Sequence, residues 1–226
     1  LVLEFLKNGG VLLYFTEFYG TNNTVKFIEQ IMGINNVRTE FKVNNKCYPM
    51  MGHTAILGAQ DSPGWTAGIE ELRKDPILNG PFGDLTDKQW AGVGGTNILF
   101  GLPKDRKGIT IHSPGQHLEG NNLDSSDKGS VSSFRYQTED YNFVYNGDGG
   151  FTSQSSAPDK GNWTSSTICP FIYDGTTLEP IPKPGFGTHR QDAYNSQYFC
   201  NMMAWAIDRA NSAELQQKKA NYRKNK

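Results

Sequence analysis

Five consecutive apolar residues, Val11-Leu12-Leu13-Tyr14-Phe15, stand between Asn8-Gly9-Gly10 and a polar stretch from Thr16 to Asn23. The run is short, aromatic or branched, and does not alternate with polar residues. That pattern predicts a strand covered on both faces, as in a parallel sheet. Residues 1–7 read as the end of a helix, stopped by Gly9-Gly10. From Thr24, the stripe Val25, Ile28, Ile31 and Met32 predicts an amphipathic helix that ends at Gly33. Helix, glycine pair, apolar strand, turn and helix together predict one unit of an open α/β sheet.

Farther along, the pattern thins. His53 to Leu57, Ile98 to Phe100, Ile109 to Ile111 and Tyr141 to Tyr145 are strand candidates. Ser62-Pro63 opens a short helix through Leu72. Residues 113–138 are polar and rich in Gly, Ser, Asn and Asp, and predict a long loop. Residues 151–190 predict a second, with a hairpin around Asp174-Gly175 between its apolar patches. The clearest helix covers Ala193 to Arg209, where Tyr194, Tyr198, Met202 and Trp205 line one face and Phe199, Met203 and Ala206 widen it. The expected organisation is a single α/β domain over 1–210, followed by a polar basic tail over 211–226 containing Lys218, Lys219, Arg223, Lys224 and Lys226.

Composition narrows the function. A chain of 226 residues suits one well-buried domain. A net charge of −1 gives no electrostatic case for nucleic acid or an anionic membrane. No apolar run is long enough for a membrane span. Three widely spaced cysteines, Cys47, Cys169 and Cys200, make neither a disulfide framework nor a zinc set. Asp124 and Asp127 lack a full calcium ligand series, and the four histidines are dispersed, so neither a metal nor another cofactor is expected. Many aromatic residues lie among Gly, Asn and Ser, a texture that suits flat polar ligands such as sugars.

The motifs Phe5-Leu6-Lys7-Asn8-Gly9-Gly10-Val11-Leu12-Leu13 and Asp75-Pro76-Ile77-Leu78-Asn79-Gly80 resemble elements of class I glutamine amidotransferase-like domains. The Gly-Asp-Gly-Gly turn at 147–150 and the final helix with Asn201 and Trp205 fit the same pattern. Gly147-Asp148-Gly149-Gly150-Phe151 and Asn195-Ser196-Gln197-Tyr198-Phe199 are similar in texture to the DUF4960-type domain of Bacteroidetes glycan-utilisation proteins. The resemblance implies a three-layer, mostly parallel, flavodoxin-like sheet. Because the chain opens inside a helix, it further implies a fragment whose first strand lies upstream, in a larger precursor. It implies a cell-surface or periplasmic location, a fructan or levan-type polysaccharide or oligosaccharide as partner, and outer-membrane glycan-uptake proteins as neighbours.

The chain departs from the enzymes of that family at the decisive point. An amidotransferase presents a cysteine at the turn after the Gly-Gly strand, within reach of a base. Here that turn reads Thr16-Glu17-Phe18, and none of the three cysteines stands at such an elbow. In open α/β sheets ligands bind beyond the carboxyl ends of the strands. The candidate ligand-binding residues are therefore Glu17, Phe18 and Tyr19 after the first strand, and Asp148 and Phe151 after the Tyr141–Tyr145 strand. Trp163 and Trp65 add stacking faces from the loops. His189, Arg190 and Asn195 come from the polar cluster before the last helix. The expected function is a non-catalytic carbohydrate-binding domain. The alternatives are a glycosidase- or esterase-like hydrolase using Glu17 or Asp148 with His189 assisting, and a structural spacer.

Overall fold

The structure, a computed structural model, describes residues 1–16, 21–43, 45–57, 69–103, 106–152, 169–187 and 189–224. Its main sheet contains β1 (Leu12–Phe15), β2 (Arg38–Lys42), β3 (Thr96–Phe100), β4 (Ile109–Pro114), β5 (Val131–Gln137) and β6 (Asn142–Asn146). The order is β1-β6-β5-β3-β2, with β4 also paired to β5. Small two-stranded ladders decorate this sheet, among them Cys47–Pro49 with Gln89–Ala91 and Lys183–Phe186 with Gln191–Ala193.

The expected three-layer, mostly parallel, flavodoxin-like sheet of the amidotransferase-like kind is overturned. β1 and β6 run parallel, but β5 is antiparallel to β6, β3 and β4, and β2 is antiparallel to β3. Nor is β1 an inner strand. It pairs with β6 alone and forms one edge of the described sheet. Its unbroken apolar run has a different cause: helices cover both of its faces. Tyr14 packs on Phe27 of α2 (Thr21–Met32) at 5.0 Å between ring centroids, and Phe15 on Phe199 of the long helix Asn195–Asn211 at 6.0 Å. Two-sided cover demands apolar residues at consecutive positions whether or not the strand is central.

Helices form where the stripes predict. α1 spans Val2–Lys7, and α2 buries Ile28, Ile31 and Met32 before Gly33 closes it at φ +58°. The short helices α3 (Thr54–Leu57) and α4 (Ile69–Leu72) come next in the chain. His53 to Leu57, expected as a strand, is instead helical from Thr54, with His53 just before α3. α5 spans Asn195–Asn211 and buries Tyr198, Met202 and Trp205, one turn or two apart. Within the basic end of the chain, residues 213–224 form α6 (Ala213–Lys224) with Leu215 buried. The segment 113–138, expected as a loop, contains β5, the strand with the most neighbours in the sheet.

The turn at 75–80 is docked on α5. Asp75 Oδ1 accepts the N–H groups of Ile77 and Leu78 at 2.9 and 3.1 Å. Asn201 Nδ2 donates to the Ile77 and Gly83 carbonyls, and its Oδ1 accepts the Phe82 N–H. Gly80 is required here because a Cβ would lie 2.4 Å from Asn201 Oδ1.

Candidate functional site

Parallel pairing of β1 and β6 places the two expected strand ends side by side. Phe15 stands opposite Asn146, and the Thr16 N–H donates to the Asn146 carbonyl at 3.0 Å. The turn after β6 is closed inward. Asp148 Oδ2 accepts the Val93 N–H and Oδ1 the Gly150 N–H, each at 2.8 Å. Phe151 is buried between Trp90, Phe15 and Tyr198, with ring centroids 5.5, 5.6 and 5.5 Å away. Asn195 Oδ1 accepts the Ala91 N–H at 2.7 Å, while Nδ2 donates to the carbonyls of Ala91 and Phe151. All three side chains are buried, and their polar contacts tie loops to the sheet. Glu17, Phe18, Tyr19, Trp65 and Trp163 lie outside the described residues.

A second polar group lies between the sheet and α5. Arg135 donates to Asp75 Oδ2 from Nε at 2.9 Å and from Nη2 at 2.7 Å. Asp75 Oδ1 is 3.3 Å from His112 Nε2, and His112 Nδ1 is 2.9 Å from the Tyr198 hydroxyl. That hydroxyl is 2.6 Å from Ser133 Oγ, which donates to the Tyr145 carbonyl at 2.8 Å. Burial pushes the Asp75 carboxyl up, but His112 and Arg135 together hold it well below the ordinary range. Acid, imidazole and hydroxyl stand in a line, as in a nucleophilic relay. Yet His112, Ser133 and Tyr198 are wholly buried. The line joins strands to helix.

The exposed chemistry is elsewhere, around Glu119. Lys46 Nζ donates to its Oε1 at 2.6 Å. His117 Nε2 reaches Oε1 and His189 Nε2 reaches Oε2, each at 2.8 Å. A carboxylate only accepts hydrogen bonds, so both imidazoles carry a proton on Nε2. His117 also lies near Asp124, with Nδ1 3.6 Å from Oδ2. These donors hold the Glu119 carboxyl down at about 2, with Lys46 the largest cause, then His117 and His189. Glu119 remains 44% exposed as a side chain. Arg190, exposed and next to His189 in sequence, has its backbone at φ +50°, a left-handed conformation unusual outside glycine. Gln191 Nε2, donating to the Gly120 carbonyl at 2.6 Å, ties its loop to the Glu119 hairpin.

Of the expected site residues, then, His189 and Arg190 stand at the surface together, while Asp148, Phe151 and Asn195 are buried in the scaffold. Glu119 and Lys46 were not among the expected residues. One signal for Glu119 was available. His117 and Glu119 are two apart in an extended segment, so their side chains share a face. Among the described residues no group of three or more His, Cys, Asp or Glu is arranged to hold a metal ion. At Glu119 the lysine ammonium already supplies the positive charge. The cysteines are unpaired, and burial first, then the Asp192 charge, pushes the Cys47 thiol up to about 12. No helix of the described residues is long and apolar enough to cross a membrane.

An aromatic hollow of about 270 Å³ lies on the Ile172–Tyr173/Pro180–Ile181 hairpin, lined by Phe171, Tyr173, Leu178, Pro180 and Cys200. Comparison with protein families, with characterised proteins and with solved structures returned no match.

Proposed function

We propose that this chain is a carbohydrate-binding domain that does not turn its ligand over, displayed at the cell surface or in the periplasm by a bacterial glycan-uptake system. The ligand class is a fructan of the levan type. The observation that carries this reading is Glu119: an ionised carboxylate held at the surface by Lys46, His117 and His189, donors from three separate segments. Sugar hydroxyls donate to the lone pairs of such a carboxylate that face water. Charge-assisted bonds of this kind keep direction in a wet site. Lys46, His117 and His189 fix the carboxylate before the ligand arrives, which lowers the cost of ordering it. Phe171 and Tyr173 offer faces for the apolar side of a sugar ring.

Calorimetric titration of the whole chain against levan, inulin and unrelated plant and microbial polysaccharides tests the reading. Saturable binding to a fructan is expected, weakened roughly tenfold or more in Glu119→Gln, as the loss of a charged hydrogen bond implies. Absence of binding to every polysaccharide would support the spacer reading. Release of reducing sugar during the titration, abolished by Glu17→Gln, would support the hydrolase instead.

A further inference from the structure

Donors already take most of the Glu119 carboxylate. An ionised carboxylate offers about four lone-pair positions, shared between its two oxygens. Oε1 accepts Lys46 Nζ at 2.6 Å and His117 Nε2 at 2.8 Å, which fills it. Among the described residues Oε2 meets only His189 Nε2, at 2.8 Å. The position that remains is therefore on Oε2, beside the His189 ring. Both side chains reach water there, with Glu119 44% and His189 38% exposed.

The two histidines of the cluster differ at their other nitrogen. His117 Nδ1 faces Asp124 Oδ2 at 3.6 Å, and its side chain is largely covered. His189 Nδ1 meets no described residue. Because Nε2 carries the proton that Glu119 accepts, Nδ1 of the neutral ring is an acceptor. His189 thus adds a second acceptor to the one on Glu119 Oε2. The two point apart. In a five-membered ring the outward directions of Nε2 and Nδ1 differ by roughly 140°, and a carboxylate oxygen opens its second lone pair away from its first. With hydrogen bonds of ordinary length, hydroxyl oxygens on the two acceptors stand roughly 8 Å apart or farther, whatever the twist about the His189–Glu119 bond. A single furanose unit does not span that distance.

We infer that Glu119 Oε2 and His189 Nδ1 together receive hydroxyls from two different units of one saccharide chain, so that the site takes an oligosaccharide and not a single sugar. The inference rests on the carbohydrate reading of the Glu119 cluster. One hydroxyl donates to Oε2, and a second, on another unit of the chain, donates to Nδ1. Lys46 and His117 remain on Oε1. His189 then acts through both nitrogens: Nε2 orients the carboxylate and Nδ1 reads the chain. A monosaccharide reaches one acceptor at a time and forgoes the other bond.

The test is calorimetry of the whole chain at about pH 8, where an imidazole is neutral, with ligands graded from methyl fructofuranoside through short levan oligomers. Affinity is expected to rise roughly three- to tenfold at the shortest oligomer that makes the second bond. His189→Gln sets an amide nitrogen near the Nε2 position, so it keeps a donor for Glu119 and lacks the Nδ1 acceptor. His189 is exposed, and this variant is expected to melt as the parent does and to lose the gain with chain length. Nitrogen-15 NMR should show the His189 Nδ1 resonance moving as oligomer is added, a change that a merely structural role would not produce. Fructan binding that Glu119→Gln weakens, but with oligomers held no tighter than the monosaccharide, with the full gain kept in His189→Gln, or with an unmoved Nδ1 resonance, overturns the inference and leaves the carbohydrate reading standing. Absence of binding by every fructan overturns both.

Discussion

Under α2 the main sheet presents Tyr14, Phe134, Tyr136, Phe143 and Tyr145, packed ring against ring at 5.5 to 6.2 Å. Under α5 the same strands present Ser133, Arg135, Asn142 and Asn146, beside His112 and Asp75. Both sides are largely closed to water. The first is held by apolar area and ring geometry, which tolerate small shifts. The second is held by polar contacts, whose distances and angles fix α5 in one register: Tyr198 to Ser133, Arg209 Nε to Asn142 Oδ1 at 2.9 Å, and the Arg135 guanidinium over the Trp205 ring. A buried polar face does not by itself mark an active site. Here it secures a helix.

The contrast can be broken from either side. Removing the charge of Asp75 by Asp75→Asn leaves the Arg135 guanidinium without its ion pair, and should cost about 3–5 kcal/mol in urea unfolding at neutral pH. Phe143→Ala, in the aromatic layer, should cost a comparable amount, about 3–5 kcal/mol, through lost burial and a cavity. Tyr198→Phe removes one hydroxyl and strands its partners, at about 1–3 kcal/mol by the same measurement. Ile111→Val, which stands opposite Phe134 on the apolar side, should cost about 0.5–1.5 kcal/mol. Glu119→Gln should shift stability least, within about 0.5 kcal/mol, because its ion pairs are exposed.

The same contrast governs how much of the fold was legible in the sequence. β1, β6, α2 and α5 were legible because their apolar positions run continuously or recur at helical spacing. β5 was not. In Val131-Ser132-Ser133-Phe134-Arg135-Tyr136-Gln137 the Phe and Tyr mark one face, while Ser, Arg and Gln on the other suggested solvent. That polar face is buried under α5, where Ser133 and Arg135 find their partners. Alternation shows which residues share a face and not what covers it. The direction of pairing was hidden for a related reason. An apolar run records cover on both faces, and β1 has that cover while remaining an edge. At the candidate site, His189 and Arg190 were legible as a polar cluster. Glu119 joins His189 through a contact 70 residues apart in sequence, which no local pattern displays.

The claim that a buried ion pair helps secure the α5 side is tested most directly by acid. The Asp75 carboxyl lies below its ordinary value of 3.8 in the folded chain. Its contribution is therefore complete above that value and falls away as pH drops through the folded value. Urea unfolding of the parent, Asp75→Asn and Phe143→Ala should be followed from neutral pH down to about pH 2.5. If the ion pair secures α5, the gap between parent and Asp75→Asn narrows below 3.8 while the Phe143→Ala gap holds. A gap at Asp75 that stays constant across that range would contradict it.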